Sequence, residues 1–124
     1  MYDDLDRSSP GIGALRTLEG RWVVIRWQRS IRHRHGKWSA AVQWTKEAAQ
    51  YLNTLCPETQ VQVFTMRFGA LDTIHSIADF EDLAALDRWQ KRLWSSEGYR
   101  ELVIKSPNDL FIEGSVIDTV LESA

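Results

Sequence analysis

Cysteine is nearly absent from this sequence, since Cys56 is the only one among 124 residues. An intrachain disulfide, a four-cysteine zinc site and a CxxC redox motif are therefore excluded. No apolar run approaches the roughly 18 residues that a membrane-spanning helix needs. Residues 1–10 are polar and acidic and lack the apolar segment of a secretory signal. We expect a cytoplasmic protein without a membrane partner.

An excess of charge of either sign is also missing. The chain has 15 lysine and arginine residues and 17 aspartate and glutamate residues, for a formal net charge of -2. As a whole it is not suited to binding a polyanion. Residues 21–37 are the exception, because they contain six basic side chains, no acidic one and interleaved tryptophans, as a nucleic-acid surface does. Strand alternation places Arg26 and Arg29 on opposite faces, so we expect ion pairs with acidic residues of a partner subunit and no nucleic-acid ligand.

Tryptophan, in contrast, is abundant, with six residues in the chain. This amphipathic side chain is enriched in cores, interfaces and aromatic-lined pockets. Core and interface packing accounts for most of the tryptophans in our interpretation. One or two remain available for a cavity that takes a flat apolar ligand. The six are Trp22, Trp27, Trp38, Trp44, Trp89 and Trp94.

Hydrophobic periodicity predicts one domain over residues 21–124, after an irregular arm of residues 1–20 that contains glycine, serine and proline. Apolar residues that alternate predict strands, and apolar residues at three-and-four spacing predict helices. The predicted order is a strand at 22–31, a helix at 38–55, strands at 61–68 and 73–78, a helix after Asp79, another helical turn or two at 99–104, and a strand at 110–121. This α+β order, β-α-β-β-α-β, is that of the ferredoxin-like fold.

Local signals add detail to these elements. Pro57 ends the first helix, Asp79 is the predicted N-cap of the second, and Gly114 marks a predicted bulge in the last strand. The apolar stripe of the first helix consists of Trp38, Ala41, Val42, Thr45, Ala48, Ala49, Leu52 and Leu55. The residues that the second helix is predicted to turn inward are Leu83, Leu86, Trp89, Leu93 and Trp94.

Both faces of the predicted sheet contain apolar residues, because valine, isoleucine, phenylalanine and methionine occur at both parities along the strands. The two helices of this fold cover only one face. A second copy of the chain is the simplest cover for the other face, since two-fold pairing is the commonest assembly of soluble proteins. We therefore predict a homodimer.

The segment from Phe68 to Asp87 resembles the NIPSNAP pattern. In that pattern a glycine hairpin leads to a strand that carries a histidine, here His75, and an aromatic-acidic-leucine run then opens a helix. Residues 96–102, SEGYREL, are similar to the end of that helix, and Gly36 and Lys37 before an apolar helix fit the family's first helix. The resemblance covers roughly residues 22–121.

This resemblance implies membership of the dimeric α/β-barrel superfamily, hence a homodimeric α/β barrel with a ligand cavity between sheet and helices. That superfamily includes cofactor-free monooxygenases, polyketide cyclases, haem-degrading enzymes and proteins without known activity. The chain departs from the enzyme branches, because the asparagine of the monooxygenase set has no match and no residues beside His75 support haem. We expect no cofactor.

Two function hypotheses follow. In the first, the protein binds and transforms an apolar or aromatic, polyketide-like metabolite without a cofactor, as biosynthetic monooxygenases and cyclases do. In the second, it is a non-catalytic NIPSNAP-like binding or interaction protein. An apolar cavity of roughly a few hundred cubic ångström with His75 or Arg29 at its wall would favour the first hypothesis. A filled interior with His75 at a subunit interface would favour the second.

The candidate catalytic residues are His75 and Arg29. An imidazole can act as a general acid or base, and Asp79, four residues on, lies on the same face of the predicted strand and can orient it. Arg29 lies on the face of Trp27 and can bind a carboxylate or phenolate of the ligand. The alternative for His75 is a structural histidine in the core or at an interface. The predicted substrate-binding residues are Trp27, Trp44, Phe64, Arg67 and Trp89.

The remaining polar candidates are weaker. Arg67 and Glu113 are charges within predicted strands, and such charges need a partner or a wet cavity. His33 and His35 lie two residues apart in a predicted loop without a nearby acid or cysteine, so we expect no metal site. Cys56 is predicted to be a structural thiol.

Overall fold

The computed structural model describes residues 15–16, 22–105 and 107–124. The predicted arm of residues 1–20 lies outside this part except for two residues that form a short strand. The strands are β1 (Leu15–Arg16), β2 (Trp22–Val23), β3 (Ile25–Arg32), β4 (Gln62–Thr65), β5 (Thr73–Phe80) and β6 (Ile117–Glu122). The helices are α1 (Trp38–Leu55), α2 (Leu83–Trp94) and α3 (Glu97–Ile104).

Four strands form one antiparallel sheet in the order β4-β5-β3-β6. Strand β3 lies next to both β5 and β6, and the two outer strands form the sheet edges. This order is that of two interleaved β-α-β units, so the predicted ferredoxin-like α+β fold is confirmed. The short strands β1 and β2 pair separately as an antiparallel ribbon.

The two faces of this sheet have different surroundings. Side chains alternate along β3, so Ile25, Trp27 and Arg29 point toward the helices while the intervening residues point away. Cross-strand partners share a face, which places Ala78 and Phe80 of β5 on the helix-facing side. We call the opposite side, which none of the described helices covers, the open face. Within the described ranges, no helix is long and apolar enough to cross a membrane.

The core lies between the helix-facing side and the helices. Its larger cluster surrounds Trp89, whose ring centroid lies 5.1 Å from that of Trp27 and 5.1 Å from that of Phe80. A second cluster joins the start of α1 to the sheet through Ala41, Val42, Ile74 and Phe111. The Trp27–Trp89 contact is edge-on, and aromatic contacts of this kind stabilise a core beyond the area that they bury.

The helix boundaries follow local chemistry. Helix α1 ends at Leu55, where Pro57 restricts the backbone of Cys56 as predicted. The N-cap of α2 is Asp82 and not Asp79, because the Asp82 side chain accepts the Ala85 N–H at 2.8 Å. Asp79 instead belongs to β5, which runs two residues further than predicted.

Other predicted placements also need correction. Leu83 and Trp94 are 58% and 52% exposed, so neither points into the core from α2. Strand β4 ends at Thr65, and the last strand begins only at Ile117, because Gly114 adopts a positive φ of 77° in a turn before it. His33 is buried and forms a β-bridge with Phe111, although the sequence predicts a loop for its segment.

Candidate functional site

A cavity of about 260 Å³ lies between the helix-facing side of the sheet and the helices α1 and α3. Strand β3 supplies alternate residues to its floor. Helix α1 supplies one face, and α3 supplies residues at three-and-four spacing. Its described lining residues are Trp27, Arg29, Ile31, Trp44, Thr45, Ala48, Ala49, Leu52, Val61, Ser76, Tyr99, Leu102, Val103 and Val116.

The tryptophans of the cavity are held from behind by other aromatic rings. Trp27 packs edge-on against Trp89, and Trp44 packs edge-on against Phe111 at a centroid distance of 5.4 Å. Trp89 is buried and supports the cavity floor without lining the cavity itself. These contacts fix two flat apolar walls, which is the arrangement that a small apolar ligand needs.

The cavity reaches the surface between α1 and α3. A shallow depression there shares Trp44 and Leu102 with the cavity and is bounded further out by Tyr51 and Gly98. Helix α3 packs closely at this point, because a side chain on Gly98 would overlap the Tyr51 hydroxyl.

Arg29 is the one charged residue among the described residues that line the cavity. Its Nε and Nη2 atoms donate to the two carboxylate oxygens of Asp118 at 2.8 Å each, across the β3–β6 pair. Its guanidinium carbon also lies 5.2 Å from the centre of the Trp27 ring, within cation–π range. The hydrogen bond with Asp118 is the largest cause that raises the pKa of Arg29, so the guanidinium stays charged.

Two hydroxyl-bearing residues line the cavity near this charge. Ser76 stands directly opposite Arg29 in the β3–β5 pair. Tyr99 reaches from α3, and its phenol is a further, smaller cause of the raised pKa of Arg29. Thr45 also lines the cavity, but its hydroxyl donates to the Ala41 carbonyl within α1 at 2.8 Å. The cavity thus has one polar end, at Arg29, and apolar walls elsewhere.

His75 lies on the open face and not at this cavity. Its Nε2 is 3.2 Å from the Met66 sulfur and its Nδ1 is 3.5 Å from the Gln28 amide nitrogen. Phe64 stands opposite His75 in the β4–β5 pair and shares that face. The expectation that one sheet–helix cavity holds His75 and Phe64 together with the tryptophans therefore needs correction, since strand alternation separates them.

The carboxylate expected to orient His75 is engaged elsewhere. Asp79 shares the open face with His75 but accepts two hydrogen bonds from Arg26, at 2.7 and 2.9 Å.

Arg67 follows the end of β4 and is exposed, and Glu113 is exposed in the turn before β6, so neither charge is inside a strand. Of the predicted substrate-binding residues, the structure brings Trp27 and Trp44 together, and the predicted catalytic residue Arg29 lies with them.

Half of the basic residues of segment 21–37 pair with acidic residues of the same chain. The Nδ1 of His33 lies 2.9 Å from the Arg34 carbonyl oxygen, and Arg34 itself donates to the Asn108 carbonyl at 2.7 Å. In the part of the chain that the structure describes, no three histidine, cysteine or acidic residues gather as a metal site would require. Three arginines of β3 form ion pairs, Arg26 with Asp79, Arg29 with Asp118 and Arg32 with Asp72. The predicted ion pairs with a partner subunit are therefore met by aspartates of the same chain.

A second depression, of about 410 Å³, lies between the end of β5 and helix α2. Its walls carry charges of both signs, including an ion pair of 2.9 Å between Arg92 and Glu58. Trp89 and Phe80 contribute its apolar part. It lacks the apolar enclosure of the sheet–helix cavity, and we take the sheet–helix cavity as the candidate site.

Reasoning from the sequence missed several residues of the site. Tyr99, Leu102 and Val103 reach the cavity because α3 is a full helix, which begins where Ser96 accepts the Tyr99 N–H at 3.3 Å. The amphipathic spacing of these three residues was the available signal. The Arg29–Asp118 pair depends on the register of β6 against β3, which no local pattern indicates.

A comparison with protein families identifies the chain. The NIPSNAP family model matches residues 12–121, which is most of the sequence. The chain belongs to the NIPSNAP family. The predicted resemblance is thereby confirmed.

Solved structures of the NIPSNAP family share this fold. A NIPSNAP-like domain protein from Burkholderia xenovorans has a TM-score of 0.65 at 17% identity, over 82% of this chain and 85% of that one. A NIPSNAP family protein from Agrobacterium tumefaciens has a TM-score of 0.63 at 14% identity, over 82% of this chain and 86% of that one. A second Agrobacterium tumefaciens NIPSNAP family protein, of unknown function, has a TM-score of 0.63 at 18% identity. The match covers 82% of this chain and 88% of that one. No curated protein matches the chain in sequence.

Proposed function

We propose that this NIPSNAP protein binds a small, mostly apolar molecule with one oxygen-bearing polar group in the sheet–helix cavity. The observation that supports this proposal is the convergence of apolar walls on the single charge of Arg29. Apolar enclosure with a few convergent polar groups is the usual form of a small-molecule site. The Trp27 and Trp44 walls favour a flat or cyclic apolar body.

The size of the cavity narrows the ligand class. Its volume of about 260 Å³ is below the roughly 300–1,000 Å³ that is common for drug-sized ligands. A single ring or a short chain suits this space better than a multi-ring polyketide. Within the proposal, the apolar metabolite is therefore monocyclic or smaller.

The lining favours binding over catalysis. Among the described residues that line the cavity there is no histidine, carboxylate or cysteine. Proton transfer is most often the task of a histidine or a carboxylate, and the Tyr99 phenol is the one side chain of the lining that can act as such an acid or base. His75 is on the other face of the sheet, so it can serve this cavity in neither role predicted for it. We therefore propose a binding protein that uses no cofactor.

We also infer that a second copy of the chain covers the open face. Phe64, Ile117 and Leu121 share this face and are 47%, 62% and 48% exposed, and Ile77 lies between them on β5. These side chains flank a polar centre, because Arg26, Gln28 and Ser30 of β3 point to the same face. Exposed large apolar side chains on one surface are typical of an interaction site. Among the described strands β6 pairs only with β3, and its outer edge continues this surface. A homodimer would bury it, and His75 with it.

Tryptophan fluorescence tests the ligand proposal. Titration with monocyclic compounds such as cyclohexanecarboxamide should give a saturable change, because Trp27 and Trp44 line the cavity. Trp44→Phe should reduce that change, whereas Trp38→Phe should retain it, since Trp38 is half exposed at the start of α1. A response only to multi-ring compounds, or to no compound at all, would contradict the proposal.

A further inference from the structure

The polar end of the cavity carries almost no net charge. The Arg29 guanidinium is met by the Asp118 carboxylate in a two-bond arrangement, with both bonds at 2.8 Å. This side-on geometry is the strong, directional form of an arginine–carboxylate pair. No second charged residue lines the cavity among those that the structure describes.

The arrangement leaves Arg29 with hydrogen-bond donors but without a free positive charge. A guanidinium has five N–H donors, and Asp118 uses one on Nε and one on Nη2. The remaining donors belong to Nη1 and to the second hydrogen of Nη2, and the Tyr99 phenol is the protein group beside them. The Trp27 ring, at 5.2 Å from the guanidinium carbon, restricts the plane of the group further. Arg29 is thus positioned to donate to an oxygen atom.

A carboxylate ligand would meet an unfavourable balance of charge at this end. Arg29 and Asp118 keep 34% and 39% of their side-chain surface exposed, so a carboxylate here would lose part of its hydration. The positive charge that should compensate this loss is already paired with Asp118. A neutral oxygen, as in an amide, a ketone or an alcohol, needs only donors. It can accept from Arg29 without a new charge in the cavity.

We propose that Asp118 determines the ligand charge that the cavity accepts, and that the cavity selects neutral oxygen acceptors over carboxylates. This inference rests on the proposed function, because it concerns the same cavity. It makes Asp118 a specificity-determining residue, although Asp118 is not one of the residues that line the cavity.

A matched pair of ligands tests this inference. Cyclohexanecarboxamide and cyclohexanecarboxylate have the same apolar ring and nearly the same shape, and they differ in charge at pH 7.5. Their dissociation constants are measured by tryptophan fluorescence and by calorimetry. We expect the wild-type protein to bind the amide at least about tenfold more tightly, since an uncompensated charge resists transfer from water.

Substitution of Asp118 should change this preference. Asp118→Asn removes the carboxylate and frees the charge of Arg29, so carboxylate affinity should rise by about tenfold or more. Asp118→Glu keeps the charge and should retain the preference for the amide. Asp72→Asn is the control, because Asp72 also pairs with an arginine of β3, Arg32, and does not line the cavity. It should leave both dissociation constants unchanged.

Three results would overturn the proposed selectivity for neutral ligands. Tighter carboxylate binding by the wild-type protein would overturn the inference and leave the proposed function intact. An unchanged ratio in a folded Asp118→Asn variant would do the same. Failure of both ligands to bind would refute the inference together with the proposed function. The wild-type ratio needs no variant, so a poorly folding Asp118→Asn protein would not prevent the test.

Discussion

Arg29 and His75 lie on opposite faces of one sheet, although their positions on the paired strands differ by a single residue. Arg29 stands opposite Ser76, and His75 stands opposite Ser30. Because side chains alternate along a strand, this offset sends Arg29 to the cavity and His75 to the open face. The two residues that the sequence marks as chemically competent therefore belong to different surfaces of one chain.

Filling the cavity should abolish ligand binding with little effect on the fold. Ala48 of α1 lines the cavity and is partly exposed, so Ala48→Phe places a ring in the space that the ligand would occupy. Ala84→Phe adds the same ring to the exposed surface of α2 and is the control. In fluorescence titrations with cyclohexanecarboxamide, Ala48→Phe should lose saturable binding and Ala84→Phe should bind like the wild type. Equal binding by both variants would show that ligands bind elsewhere.

The dimer proposal predicts that a charge on the open face separates the subunits. Leu121 faces that side at the β6 edge, so Leu121→Lys would bury an ammonium in the interface and raise the dimer dissociation constant by more than about tenfold. Leu83→Lys is the matched control, since Leu83 is similarly exposed at the start of α2. Light scattering across a concentration series measures the dimer dissociation constant of both variants. A wild-type protein that is monomeric at micromolar concentration would contradict the dimer.

The fold could be predicted from the sequence because its signals are local. Helical spacing in α1 and the turn at Gly69 each depend on nearby residues, and together they give the order of elements. The site could be predicted only in part. Trp27, Trp44 and Arg29 follow from strand and helix periodicity. The pairing of Arg29 with Asp118 joins residues 89 apart and depends on sheet register.

The N-cap of α2 could not be assigned from the sequence alone, because two nearby aspartates are candidates. Asp79 and Asp82 are both suitable capping residues by type, but Asp79 is held in β5 by its pairing with Arg26. A pattern of residue types does not reveal which of two nearby aspartates is still in a strand. The extra length of β5 therefore moved the cap by three residues.

Removal of this cap should destabilise the protein. Asp82→Ala leaves the Ala85 N–H without its partner and should lower the free energy of unfolding by about 1 kcal/mol. Asp82→Asn retains an oxygen acceptor and should lower the free energy of unfolding much less. Urea unfolding followed by circular dichroism compares the three proteins. Equal losses in both variants would argue against a capping role.

The single thiol should be protected in the folded state. Cys56 is buried, and burial raises the pKa of its thiol, although nearby Arg92 opposes this. Iodoacetamide should therefore alkylate the native protein at pH 8 far more slowly than the urea-unfolded chain. Equal alkylation rates in the two states would contradict this protection.

The same shift gives a pH dependence with a defined sign. The thiol of the unfolded chain ionises first, so its contribution to stability is complete below the ordinary thiol pKa of about 8.5 and is lost as pH rises beyond it. Between pH 7 and pH 9.5, the wild-type protein should lose more stability than Cys56→Ala does. A larger loss in Cys56→Ala would reverse the sign and refute this account.

The most direct test of ligand binding in the sheet–helix cavity is a residue-resolved titration. In ¹H–¹⁵N spectra of the full chain, cyclohexanecarboxamide should shift the indole N–H signals of Trp27 and Trp44, which line the cavity. The signals of Trp38 and Trp94, which are half exposed and lie outside its lining, should stay in place. Shifts at Trp27 and Trp44 that saturate together are the predicted result. Shifts confined to Trp38 and Trp94, or none at saturating ligand, would contradict a ligand site between the sheet and its helices.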